Sequence, residues 1–215
     1  MSNFAFVFPG QGSQKIGMLA ELADQNPIIE KTFSEASEVL GYDMWQLIQQ
    51  GAQEDINLTQ RTQPILLTCS VAIWRLWNQK QGAKPSQMAG HSLGEWSALV
   101  CANVIDFADG LKMVEARGKF MQQAVPVGQG AMAAIIGLDD KAILAACTEA
   151  STLGVVDAVN FNAPGQVVIA GSNEDVDGEM DICKAAGAKR ALPLPVSAPF
   201  HTSLMKPAAD NLAEM

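Results

Sequence analysis

Phe4 to Phe8 form a short, nearly unbroken apolar run that Pro9-Gly10 stops, which predicts a buried strand feeding a loop at Gly10-Gln11-Gly12-Ser13. Asn26-Pro27 then opens a helix that Gly41 closes, with Asn26 as N-cap and Pro27 in the first turn. A second helix is expected from about Gln63-Pro64 through Ile65-Leu66-Leu67 and Val71-Ala72-Ile73-Trp74 to about Gly82. Ser86 to Gly90 reads as a short strand of mostly small residues, followed by a helix to about Ala102 and a further helix from Asp106 to about Ala124. Strand alternates with helix, which implies a parallel sheet.

Beyond Pro126 and Gly128 the pattern changes. Ala131 to Gly137 predicts a strand, Asp139 to Ser151 a helix and Val155 to Phe161 a strand. Asn162-Ala163-Pro164-Gly165 turns into a strand at Gln166 to Ala170, then come a helix from about Ser172 to Ala186 and a strand from Lys189 to Leu194. Strand, helix, strand, strand, helix, strand is the order of a ferredoxin-like unit. The reading is therefore an α/β chain in which a small ferredoxin-like domain, residues 127–196, is inserted into a larger α/β domain, residues 1–126 and 197–215.

Composition narrows the function. The 215 residues are 48% hydrophobic and 17% charged, enough for a packed core and against disorder. Fourteen Lys and Arg against 23 Asp and Glu leave a net charge of −9, the wrong sign for a protein that holds nucleic acid. Cys69, Cys101, Cys147 and Cys183 form no CxxC pair or metal-finger spacing and read as small buried hydrophobes. The N-terminus lacks a basic start and long apolar stretch, and no apolar run spans a membrane, so a reducing cytoplasm is the expected location.

Gly90-His91-Ser92-Leu93-Gly94 fits G-x-S-x-G, the nucleophile elbow, with a strand before and a helix after. Both glycines serve a turn too tight for a side chain, and the helix N-terminus beyond favours negative charge near Ser92. The chain holds two histidines. His91 occupies the variable position of the elbow, whereas His201, with an ordinary pKa of about 6.5, follows the serine in the order of an α/β hydrolase and is the better base. A loop histidine with a local hydrogen bond is the plain alternative for His201, and no aspartate declares itself as a third member. Arg117 lies at helical spacing from Met113, Val114, Phe120, Met121 and Ala124, so its guanidinium needs either an internal carboxylate or a carboxylate on a substrate. Gly10-Gln11-Gly12 is either an oxyanion-binding loop or a plain tight turn.

Taken together, these stretches resemble the malonyl-CoA:acyl carrier protein transacylases of fatty acid synthesis and the related acyltransferase domains of polyketide synthases. The matching segments are Phe8-Pro9-Gly10-Gln11-Gly12-Ser13, Thr62-Gln63-Pro64, Gly90 to Glu95, Arg117-Gly118, Asn160-Phe161-Asn162 with Pro164-Gly165-Gln166, and Pro199-Phe200-His201, in the family's order. The resemblance implies an α/β-hydrolase-like large domain and a two-step transfer through an acyl-serine: Ser92 as nucleophile, His201 as general base and acid, and the backbone amides of Gln11 and Leu93 as the oxyanion hole. It further implies that Arg117 holds the malonyl carboxylate, with Gln63, Asn160, Phe200 and Met121 as substrate-binding residues and Phe200 crowding the space of an α-methyl branch.

The same resemblance implies malonyl-CoA as substrate with no bound cofactor or metal, coenzyme A and an acyl carrier protein as partners, no membrane or nucleic-acid partner, and a monomer. The carrier is acidic, so Lys184, Lys189, Arg190 and Lys206 are candidates for its docking patch. Family members continue for about half a domain beyond the catalytic histidine, so the large domain is expected to be incomplete at its C-terminal end. A serine esterase or thioesterase with the same elbow, and a non-catalytic carrier-binding module, are the rival readings.

Overall fold

A computed structural model describes residues 3–151, 154–196 and 198–215 of the chain, which divide into two compact units, Met1–Lys119 and Phe120–Met215. In the first unit, β1 (Ala5–Phe8) pairs in parallel with the strand Gln87–Gly90, in register from Ala5 opposite Gln87 to Phe8 opposite Gly90. The helices between them supply the core. α1 (Ala20–Ala23) is followed by α2 (Ile28–Leu40), which buries Ile29, Phe33 and Ala36 at helical spacing, each large side chain contributing about 2 kcal/mol.

α3 (Met44–Gln50) is capped by Asp43, whose carboxylate accepts from the Gln46 N–H at 2.8 Å, and α4 (Gln53–Asn57) leads into α5 (Thr59–Gln79). Ile65, Leu67 and Val71 of α5 join Ile29, Phe33, Met44, Ile48 and Ile56 in one apolar cluster. The strand Gln87–Gly90 is β2; α6 (Leu93–Cys101) and α7 (Phe107–Gln123) follow, and Leu93, Val100, Leu111 and Val114 complete the cluster.

The first unit departs from the sequence reading in four places, the first being that β1 is not a buried strand: Ala5 and Val7 are exposed and only Phe8 is buried. α1, α3 and α4 were not expected, because four to seven residues offer only one or two apolar anchors and show no period. Asn26 is not the cap of α2: Pro27 holds that position, and the Asn26 amide donates instead to the Leu22 carbonyl at 2.9 Å. α5 starts a turn before Pro64, which sits inside the helix and leaves the Gln60 carbonyl without an N–H from residue 64.

The second unit contains β3 (Gly130–Ile136), α8 (Asp140–Ala150), β4 (Val156–Ala163), β5 (Gln166–Ser172), α9 (Asn173–Ala185), β6 (Arg190–Pro193) and, after a 3-10 turn, α10 (Lys206–Ala213). Its sheet is antiparallel, in the order β4-β5-β3-β6. β5 is apolar on both faces. Val167 and Ile169 pack with Ala133, Ile135, Ile143, Val176 and Cys183, while Val168 and Ala170 pack with Met121, Met132, Ala198, Phe200 and Met205. Ser197, where the chain is expected to re-enter the large domain, lies outside the described residues. Among the described residues no helix is long and apolar enough to cross a membrane.

Candidate active site

Ser92 joins β2 to α6 with φ 53° and ψ −106°, a backbone conformation that costs a non-glycine residue on the order of 1–3 kcal/mol. The neighbouring glycines show how the turn is held. A Cβ on Gly90 would overlap the backbone of Gly94 and Glu95, and one on Gly94 would overlap the Phe8 carbonyl, so strand, turn and helix touch through bare backbone. The His91 N–H donates to the Phe8 carbonyl at 3.0 Å, tying the turn to the end of β1. Leu93 is the first residue of α6, so its N–H belongs to the first helical turn, where no intrahelical acceptor exists.

Arg117 arrives from α7. One guanidinium nitrogen, Nη2, donates to Ser92 Oγ at 3.3 Å, and the other, Nη1, donates to Gln63 Oε1 at 2.8 Å. Gln63 is 1% exposed and reaches Arg117 from α5, so three elements converge on one cation. Both acceptors are neutral oxygens. Burial pulls the Arg117 pKa below its ordinary value, and the negative charge of Glu95 on α6 opposes that pull. A guanidinium whose hydrogen-bond acceptors among the described residues are neutral oxygens is chemically suited to a carboxylate.

The loop after β1 lies against the elbow: a Cβ on Gly10 would come within 2.7 Å of the His91 carbonyl oxygen. Gln11, the next residue, donates through Nε2 to Thr59 Oγ1 at 3.5 Å, and Gly12 takes φ 109° while its N–H donates to Gln14 Oε1 at 2.8 Å. Thr59 is 4% exposed and stands one helical turn before Gln63 on α5. It was missed in the sequence. The available signal was its i, i+4 spacing from Gln63, which places the two on one helix face.

Ser92, Leu93, Gln11, Gln63 and Arg117 thus belong to the first unit, where Ser92, Gln63 and Arg117 are joined by hydrogen bonds. Met121, Asn160, Phe200 and His201 belong to the second. Met121 and Phe200 are buried in the apolar cluster on one face of its sheet, and Asn160 stands on β4 opposite Val168, just past a break in strand register. His201 is exposed and has φ 67°, a left-handed conformation that histidine enters more readily than most residues. It lies within a turn closed by Thr202 Oγ1, which donates to the Pro199 carbonyl at 2.8 Å.

Of the four candidate docking cations, Lys184 is paired with Asp181 at 3.0 Å and Lys206 with Asp210 at 2.7 Å, both within their own helices. The cysteines are all buried and free; burial pushes the thiols of Cys69 and Cys101 up to about 12 and that of Cys183 to about 11. Among the described residues no group of three or more His, Cys, Asp or Glu side chains is placed to hold a metal ion.

Comparison with known proteins gives a consistent result. The model of the acyl transferase domain matches residues 5–215. The chain is 66% identical over 213 residues to the malonyl CoA-acyl carrier protein transacylase of Escherichia coli K12, covering 99% of this chain and 69% of that protein. An acyl carrier protein S-malonyltransferase from Vibrio cholerae superposes with a TM-score of 0.96 at 63% identity, covering 99% of this chain and 70% of the other. A malonyl-transacylase solved in complex with a type II polyketide synthase acyl-carrier protein superposes with a TM-score of 0.98 at 63% identity, over 99% of this chain and 69% of the other.

Proposed function

Because the chain belongs to the acyl transferase domain family, we propose that it transfers the malonyl group from malonyl-CoA to the thiol of acyl carrier protein through a malonyl-serine at Ser92. The transfer serves fatty acid synthesis. The single observation that carries the reading is the cation at the elbow: Ser92 stands on a strained turn with Arg117 Nη2 at 3.3 Å, and Arg117 is itself anchored to Gln63. An esterase for apolar acyl groups has no use for that cation.

In the proposed mechanism His201 takes the Ser92 hydroxyl proton, and the alkoxide attacks the thioester carbonyl. The amides of Gln11 and Leu93 receive the developing oxyanion; losing one such donor costs on the order of 100- to 1,000-fold in rate. The carbon–sulfur bond breaks, and the coenzyme A sulfur leaves with the proton from His201. The carrier's thiol then gives its proton to His201 and attacks the ester; Ser92 leaves and recovers the proton. Arg117 holds the malonyl carboxylate, while Gln63, Asn160, Phe200 and Met121 shape the acyl and pantetheine sites. The domain reading goes with this mechanism: an α/β-hydrolase-like large domain, 1–126 with 197–215, carrying Ser92, and a ferredoxin-like small domain, 127–196. The strand order β4-β5-β3-β6 supports the latter. Lys189 and Arg190 are the proposed docking cations.

Incubation with malonyl-CoA, followed by intact-mass measurement and peptide mapping, tests the reading. The expected result is a malonyl adduct on the peptide containing Ser92, lost in Ser92→Ala and discharged by added carrier protein. An adduct on another residue, or release of free malonate in place of transfer to the carrier, would overturn it.

A further inference from the structure

Gly118 occupies the interior of α7, where glycine costs up to about 1 kcal/mol relative to alanine. Its surroundings explain the residue. A Cβ on Gly118 would lie 2.6 Å from Gln60 Cα, 2.7 Å from the Thr59 carbonyl oxygen and 2.8 Å from Gln60 N. All three are backbone atoms of the first turn of α5, so no side-chain rotation relieves the contact. α7 therefore rests directly on α5 one residue after Arg117, and Gln63, the acceptor of Arg117, lies one turn further along the same face of α5.

We infer that Gly118 is a positioning residue for acyl selectivity: its missing Cβ sets how closely α7 approaches α5, and so how far the Arg117 guanidinium stands from Ser92. The inference rests on the carboxylate-binding reading of Arg117. Moving a carbon from 2.6 Å out to the 3.4 Å at which ordinary contact begins takes about 0.8 Å. A retreat of that size carries the 2.8 Å bond to Gln63 and the 3.3 Å bond to Ser92 toward or past the limit of hydrogen bonding.

The test measures acylation by malonyl-CoA and by acetyl-CoA, which lacks the carboxylate, in Gly118→Ala, Arg117→Ala and the double variant. Gly118→Ala is expected to lower malonyl acylation by about 10- to 100-fold while acetyl acylation stays within about threefold. In the Arg117→Ala background the same change is expected to cost no more than about threefold, because the group it positions is gone. Equal losses with both donors, or an unchanged malonyl-to-acetyl ratio, would overturn the inference. If Arg117→Ala itself leaves the ratio unchanged, the carboxylate reading falls and the inference with it; if Arg117→Ala collapses the ratio and Gly118→Ala does not, only the inference falls. Should Gly118→Ala alone not fold, Gly118→Ala combined with Gln60→Gly, whose freer backbone can yield to the added Cβ, carries the test: the ratio is expected to fall by about three- to tenfold, and an unchanged ratio would overturn the inference.

Discussion

Arg117 in the first unit and Glu179 in the second are both ionisable side chains drawn away from water, and they are held in opposite ways. Arg117 donates to two neutral oxygens brought from α5 and the elbow, so its charge is supported and still available. Glu179 on α9 is fully buried between α9 and α8. Its Oε1 accepts from the Cys147 thiol at 2.7 Å, while Oε2 has no hydrogen-bond partner among the described residues. Burial is the main force lifting the Glu179 pKa to about 7, with the negative charge of Asp157 adding to it and the Cys147 hydrogen bond opposing. Arg117 keeps its charge beside neutral acceptors; Glu179 is a carboxyl whose proton the fold retains up to about pH 7. Burial alone therefore does not mark a functional ion, and the nature of the partners does.

The comparison breaks most visibly at Arg117. Arg117→Ala is expected to reduce malonyl acylation by about 100-fold or more, at a stability cost on the order of 1–3 kcal/mol for taking a donor from the buried Gln63 oxygen. Pre-steady-state acylation rates with malonyl-CoA, read beside a thermal melt, check this. A stability loss without a change in malonyl preference would place Arg117 in the same class as Glu179.

Glu179 has the next largest effect, on stability rather than turnover. An unfolded carboxyl near its ordinary value of 4.5 releases its proton well before the folded one does at about 7. Between those values the native state binds more protons, so raising the pH from about 4.5 to 7 withdraws stability, on the order of 3 kcal/mol; below about 4.5 nothing is lost. Glu179→Gln keeps an acceptor for Cys147 and removes the titration. Chemical denaturation across that pH range is expected to show a flatter profile in the variant, with the variant the more stable chain at pH 8. Parallel profiles would show that Glu179 ionises without cost.

The smallest effects concern helix caps, one in each unit. Asp43 accepts a single N–H at the start of α3, and Asp139 accepts from both Lys141 and Ala142 at the start of α8, at 3.0 and 3.1 Å. Replacing either by alanine is expected to cost about 1 kcal/mol, the Asp139 change slightly more, without altering acylation. Amide hydrogen exchange resolved to α3 and α8 reads the two separately.

The elbow was legible because glycine at two fixed positions around a serine has a steric cause, and the structure shows those glycines pressed against backbone. The strands and helices of the second unit were also legible, since strongly apolar runs such as Val167 to Ala170 and the capped helix at Asp139 announce themselves locally. Gly118 was visible only as half of a motif, because the atoms that forbid its side chain lie 58 positions away at Gln60. The same holds for Ala198, Phe200 and Met205, whose packing on Met121, Met132 and Ala170 depends on contacts that no local period encodes. The first turn of α5 was hidden for a simpler reason: Pro64 reads as a start, and here it follows one.

The positive φ of Ser92 has a consequence for how this chain can change over time. A glycine would enter that backbone conformation freely, so the substitution that most comfortably relaxes the turn also deletes the hydroxyl. Selection for a sturdier fold and selection for chemistry pull this one codon in opposite directions. A lineage released from the need to transfer acyl groups would be free to drift toward an inert scaffold that retains the Arg117 cation, a sequestering protein in place of an enzyme.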